Sequence, residues 1–140
     1  MRIIVTILAC LLALQVLGQS SSKVYFEVYC GEDGYTPAEI FMIRELRRSI
    51  DTIALRIRLM NGTSVEQVLS AMVLNHFQLM HIITFSKAEQ DRIKQIFSSD
   101  QHFILCYTCI YHYEGTLKRL FKHKHAESYK ILWSFLFNDL

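Results

Sequence analysis

The chain has little of what makes turns. One proline and five glycines occur in 140 residues, which argues against a turn-rich β-sandwich or a Pro/Gly-rich disordered tail. An excess of either charge is also missing. Fifteen Lys+Arg stand against thirteen Asp+Glu, a formal net charge of +2, and so near-neutral a chain gives no electrostatic argument for nucleic acid as a partner. Gly-x-Ser-x-Gly, His-Glu-x-x-His and glycine-rich phosphate loops do not occur, so the local signatures of acyl transfer, zinc proteolysis and nucleotide binding are lacking. The acids lie mostly in helix caps or beside bases, as Asp51 does four residues from Arg47. No carboxylate pair therefore suggests acid–base chemistry. The expectation is a protein that acts without catalysis, cofactor or metal.

Long apolar runs are confined to the start. Arg2, the run Ile3–Val16 and the small-residue site Val16-Leu17-Gly18 read as a secretory leader over residues 1–18. The run has fourteen residues, against the roughly 20 that a membrane anchor needs. Cleavage after Gly18 leaves residues 19–140 as a single domain, large enough for its own core. Ser134 and Asn138 interrupt the apolar C-terminal stretch, so no transmembrane segment is expected. The predicted location is extracellular.

What the chain does have is helical periodicity. Residues 36–62 begin with Thr36, Pro37 and Glu39, a cap, a first-turn proline and a capping-box acid. Ile43, Leu46, Ile50, Ile53, Ile57 and Met60 follow at steps of three and four, which predicts one long helix with this seam inward. Asn61-Gly62 then offers residues that tolerate a left-handed helix end. Thr63 with Glu66 and Ser86 with Glu89 predict two further capped helices, the first running to about Phe85. Residues 102–113, HFILCYTCIYHY, carry strand-like aromatic content. Their place among helices favours a helix with Phe103, Cys106, Ile110 and Tyr113 inward. Gly115-Thr116 opens a last helix from Leu117 to about Asn138, with a bend near Ala126. Residues 23–29 alternate as a strand does, but have no local mate. The predicted fold is all-α: an antiparallel bundle of four to five helices with a short extended N-terminal segment strapped across it.

Cys10 leaves with the leader, so Cys30, Cys106 and Cys109 remain. In an oxidising compartment this predicts a disulfide from Cys30 to Cys106 or Cys109, worth about 4 kcal/mol in the chain-entropy model. The odd cysteine is buried or links two chains. Cys106-x-x-Cys109 has redox spacing but no βαβ surroundings. On a helix, His102, Cys106 and Cys109 would share a face with His112 a turn beyond. Four ligands on one straight helix cannot surround an ion, so a zinc site is not expected. Asn61-Gly62-Thr63 is an N-glycosylation sequon. His76 and His81 read as core-edge histidines.

Lys118, Arg119, Lys122, His123, Lys124, His125 and Lys130 form a basic patch on the last helix. It is either the solvated face of a core helix or a surface for a membrane or a polyanion. Two broader readings follow. The first is a humoral or seminal-fluid-type extracellular factor that recognises another protein or a cell-surface receptor. The second is a carrier of a small apolar ligand, its pocket lined by Met42, Met60, Met72, Met80 and aromatics.

Overall fold

The computed structural model describes residues 23–28, 38–108 and 111–138. Among them it forms β1 (Val24–Val28), α1 (Ala38–Arg48), α2 (Thr52–Asn61), α3 (Ser64–Leu79), α4 (Lys87–Phe97), β2 (His102–Tyr107), β3 (Tyr111–Thr116), α5 (Leu117–Lys122) and α6 (Glu127–Phe137). The expected all-α bundle is therefore wrong. Six helices accompany a three-stranded mixed sheet ordered β1-β2-β3.

The sheet comes from the two segments that looked least helical. The alternation in β1 finds its mate in β2, paired in parallel with Val24 opposite Phe103 and Val28 opposite Tyr107. The helix expected over residues 102–113 is thus wrong: His102–Tyr107 and Tyr111–Thr116 are strands. β2 returns antiparallel as β3, with Leu105 opposite Tyr113 and Cys106 opposite His112. Branched and aromatic side chains suit a half-buried pleated surface, and a partner four helices away supplies what no neighbouring residue could. Val24, Phe26, Val28, Phe103 and Leu105 are buried against the helices. Gly115, opposite Phe103, leaves room for that ring: a Cβ there would stand 3.3 Å from Phe103 Cε1.

The long helix also fails, and the reason is local. The Ser49 hydroxyl donates to the Glu45 and Leu46 carbonyls. Ile50 takes a left-handed φ of 52°. Its N–H donates to Arg47 O while Asp51 N–H donates to Leu46 O, the paired bonds of a Schellman ending. Asp51 then caps α2 by accepting from Ala54 N at 3.0 Å. This break resets the helical phase. Ile50, Ile53, Ile57 and Met60 point outward, while Ile40 and Ile43 of α1 and Leu55 and Leu59 of α2 are buried.

Two ion pairs show why α2 turns that way. At 100° per residue, Arg56 and Arg58 flank the Leu55/Leu59 face, and the isoleucine stripe lies opposite. Arg58 reaches Glu66 at 3.0 Å and Arg56 reaches Glu89 at 2.6 Å. These acids are the capping-box residues of α3 and α4, bonded back to Thr63 N and Ser86 N. Burial pushes the Glu89 carboxyl up, but hydrogen bonds from Ser86 and the Arg56 guanidinium outweigh it and hold it below its ordinary value. Each start signal thus also anchors α2. Gly62, between α2 and α3, is not left-handed (φ −74°, ψ 177°). It is needed for space, since a Cβ would meet Arg58 O at 2.6 Å.

α3 stops at Leu79, short of Phe85, with His81 left-handed at φ 58°. His81 is thus an exposed helix end and not a core-edge residue. The last helix is two. Thr116 caps α5 as expected, and α6 begins anew at Glu127, so the bend near Ala126 is a full break. No helix among the described residues is long and apolar enough to cross a membrane. The expected leader lies outside the described residues.

Candidate functional site

Two surfaces stand out. The first is the outer stripe of α2, with Ile50 in the turn before it: Ile53 is 73% exposed, Ile57 56%, Met60 43% and Ile50 53%. Arg56 and Arg58 are tied to Glu89 and Glu66, so the cations of this helix are engaged on its other side. What remains outward is a nearly uncharged row of aliphatic side chains. Asn61 is exposed at its end. The sequon's Thr63 is engaged, accepting from Glu66 N at 3.2 Å and donating to Glu39 Oε1 at 3.0 Å.

The second is a groove of about 590 Å³ between β3 and the α5–α6 turn. Arg119 and Lys122 line it from α5, His123, His125 and Ser128 from the turn and the start of α6, and Tyr113 and Glu114 from β3. Lys118, Lys124 and Lys130 are exposed on the same elements but do not line it. All seven basic residues are exposed, and four of the seven share one concavity. Its apolar half is core: Leu120, Phe121, Ile131 and Leu132 are buried.

Arg119 differs from the other described arginines. Arg44 donates to Asn138 O and lies over the Phe135 ring, Arg47 lies over Phe137, Arg48 pairs with Glu45, Arg92 donates to Gln95, and Arg56 and Arg58 are ion-paired. The Arg119 guanidinium makes no such contact among the described residues. α6 also lacks the side-chain cap that Asp51, Thr63, Ser86 and Thr116 give to α2, α3, α4 and α5.

Cys30 and Cys109 lie outside the described residues. Cys106, half-buried in β2, is not without a partner. The last register pair is Val28 with Tyr107, and Cys30 and Cys109 each follow two residues later in sequence. The helical face imagined for His102, Cys106 and His112 does not exist. Cys106 and His112 face each other across the ladder, while His102 is four strand residues away, about 13 Å. No cluster of three potential metal ligands occurs among the described residues.

His76 is half-buried, with its ring edge-on to Trp133 at 5.3 Å and to Phe137 at 4.6 Å. Burial, with Arg47 nearby, holds its imidazole below the ordinary value of 6.5. Aromatic contacts hold this core-edge ring. The chain shows no significant similarity to any family model, curated protein or solved structure with which it was compared.

Proposed function

We propose that the chain is a secreted factor that acts without catalysis, by docking the outer stripe of α2 against another extracellular protein. The carrying observation is the exposure of Ile53, Ile57 and Met60 on one face of α2, with Ile50 exposed in the turn before it, since a contiguous apolar row on a small domain marks an interaction surface. The carrier reading has less support. Met60 and Met80 are exposed, Met72 is packed in the core, and no methionine lines the four described cavities.

Two modifications accompany this reading. Asn61 carries an N-glycan, supported by its exposure. Cys30 pairs with Cys106 or Cys109, supported by the parallel β1–β2 register, in which Cys106 lies opposite Glu27 and the last pair, Val28–Tyr107, stands two residues before Cys30 and Cys109 in sequence. Mass mapping of the non-reduced secreted protein checks both, along with the N-terminus at Gln19. The recognition itself is tested by competition for binding of labelled wild-type protein to intact cells. Ile53→Glu/Ile57→Glu should keep the wild-type Tm yet compete at least about tenfold more weakly, a loss of about 1.4 kcal/mol. Undiminished competition by the double variant would refute the stripe.

A further inference from the structure

We infer that the groove between β3 and the α5–α6 turn binds a sulfated polysaccharide chain, with the Arg119 guanidinium as its anchoring contact. This rests on the extracellular reading for the source of the ligand, and on none of the α2 surface.

The concavity of about 590 Å³ presents Arg119, Lys122, His123 and His125 to a single space. All four are exposed, and neither Arg119 nor Lys122 is ion-paired among the described residues. An unpaired guanidinium offers a planar fork that matches two oxygens of a sulfate group, and beside it an ammonium adds a point charge. The Ser128 hydroxyl and the uncapped first turn of α6 add donors at the far wall. Glu114 is the acid on the opposite wall, so the groove can also take a sugar hydroxyl as donor. The Tyr113 ring beside it is a surface on which a sugar face can lie.

Extent favours a chain over a single anion. Lys118, Lys124 and Lys130 continue the positive surface beyond the groove on α5, the turn and α6, more cations than one sulfate or phosphate can engage. A membrane is the poorer fit, because surface insertion needs apolar side chains directed outward beside the cations. Here Leu120, Phe121, Ile131 and Leu132 are buried. Non-specific attraction is an equally poor source of affinity, since the whole chain carries a formal charge of only +2.

The test is calorimetric titration of the full secreted chain with a size-defined heparin oligosaccharide at physiological salt. Inorganic phosphate and vesicles of mixed phosphatidylcholine and phosphatidylserine are the comparison ligands. Arg119→Ala should weaken heparin binding about tenfold and Arg119→Lys less, because the lysine keeps the charge and loses the fork. Lys122→Ala should weaken it severalfold, while Lys94→Ala, on exposed α4 surface, should leave it unchanged, all at wild-type Tm. Ile53→Glu/Ile57→Glu should bind heparin as wild type does, so failure of the docking surface and failure of this groove are separate results. Equal effects of Lys94→Ala and Arg119→Ala would overturn the site. So would the absence of heparin binding, displacement by stoichiometric phosphate, or binding to vesicles in its place.

Discussion

β1 and the outer stripe of α2 carry equally regular apolar patterns and meet opposite fates. In β1, Val24, Phe26 and Val28 recur every second residue and all are buried. From the turn before α2 and along it, Ile50, Ile53, Ile57 and Met60 recur every third or fourth, and all are exposed. The difference lies in what each segment's other side offers. The far side of β1 is Tyr25 and Glu27, which solvent suits. The far side of α2 is a second apolar pair, Leu55 and Leu59, flanked by arginines that find buried or nearly buried acids. Where a helix has two apolar faces, polar neighbours decide which one is core.

The largest expected effect that sharpens this contrast is in β1. Phe26→Ala removes a fully buried ring from the sheet face and should cost about 3–5 kcal/mol. Tyr25→Ala, on the outward side, should change stability by about 0.5 kcal/mol or less. Urea denaturation of the two variants reads the gap directly. Comparable losses would mean that the strand is rotated.

A smaller effect, but one of telling sign, is expected where α1 ends. Ile50 holds a left-handed conformation that is costly for a β-branched residue and free for glycine. Ile50→Gly should therefore stabilise the protein by up to about 1 kcal/mol, after allowing for the added freedom of the unfolded chain. In an uninterrupted helix the same change would destabilise by about 0.5 kcal/mol. Thermal denaturation separates the two by sign alone.

The smallest effect concerns His76 at the aromatic contact between α3 and α6. Its imidazole titrates below 6.5 when folded. Between those values the unfolded chain holds a proton that the folded one refuses, so stability is complete above 6.5 and falls as pH drops toward the folded value. Wild-type Tm should decline more between pH 7 and pH 5 than that of His76→Gln. Parallel curves would remove His76 from the account.

Much of the helical framework was legible in the sequence, because caps are local. Thr63/Glu66, Ser86/Glu89 and Thr116 all mark helix starts where they were read. The sheet was not legible, since β1 and β2 are separated by four helices and neither has a hairpin signal to announce the other. The break at Ser49–Asp51 was obscured by Ile50 standing where a glycine would have given notice. Asp51 is a legible signal, since Asp is a favoured N-cap and its carboxylate accepts from the N–H of Ala54, three residues on. The basic residues of α5, the turn and α6 are visible in the sequence as a set, and all seven are exposed. Their concavity depends on β3, which the helical reading of residues 102–113 had removed.

The outward orientation of Ile53, Ile57 and Met60 on α2 is tested most directly by substitutions two residues apart: Ile53→Asp against Leu55→Asp, compared by Tm in the full chain. Leu55→Asp would bury a carboxylate with no partner and should unfold a domain whose total stability is about 5–15 kcal/mol. Ile53→Asp, at a position 73% exposed, should fold with a Tm within about 5 °C of wild type. An unfolded Ile53→Asp beside a folded Leu55→Asp would contradict the orientation of α2, and with it the proposed recognition surface.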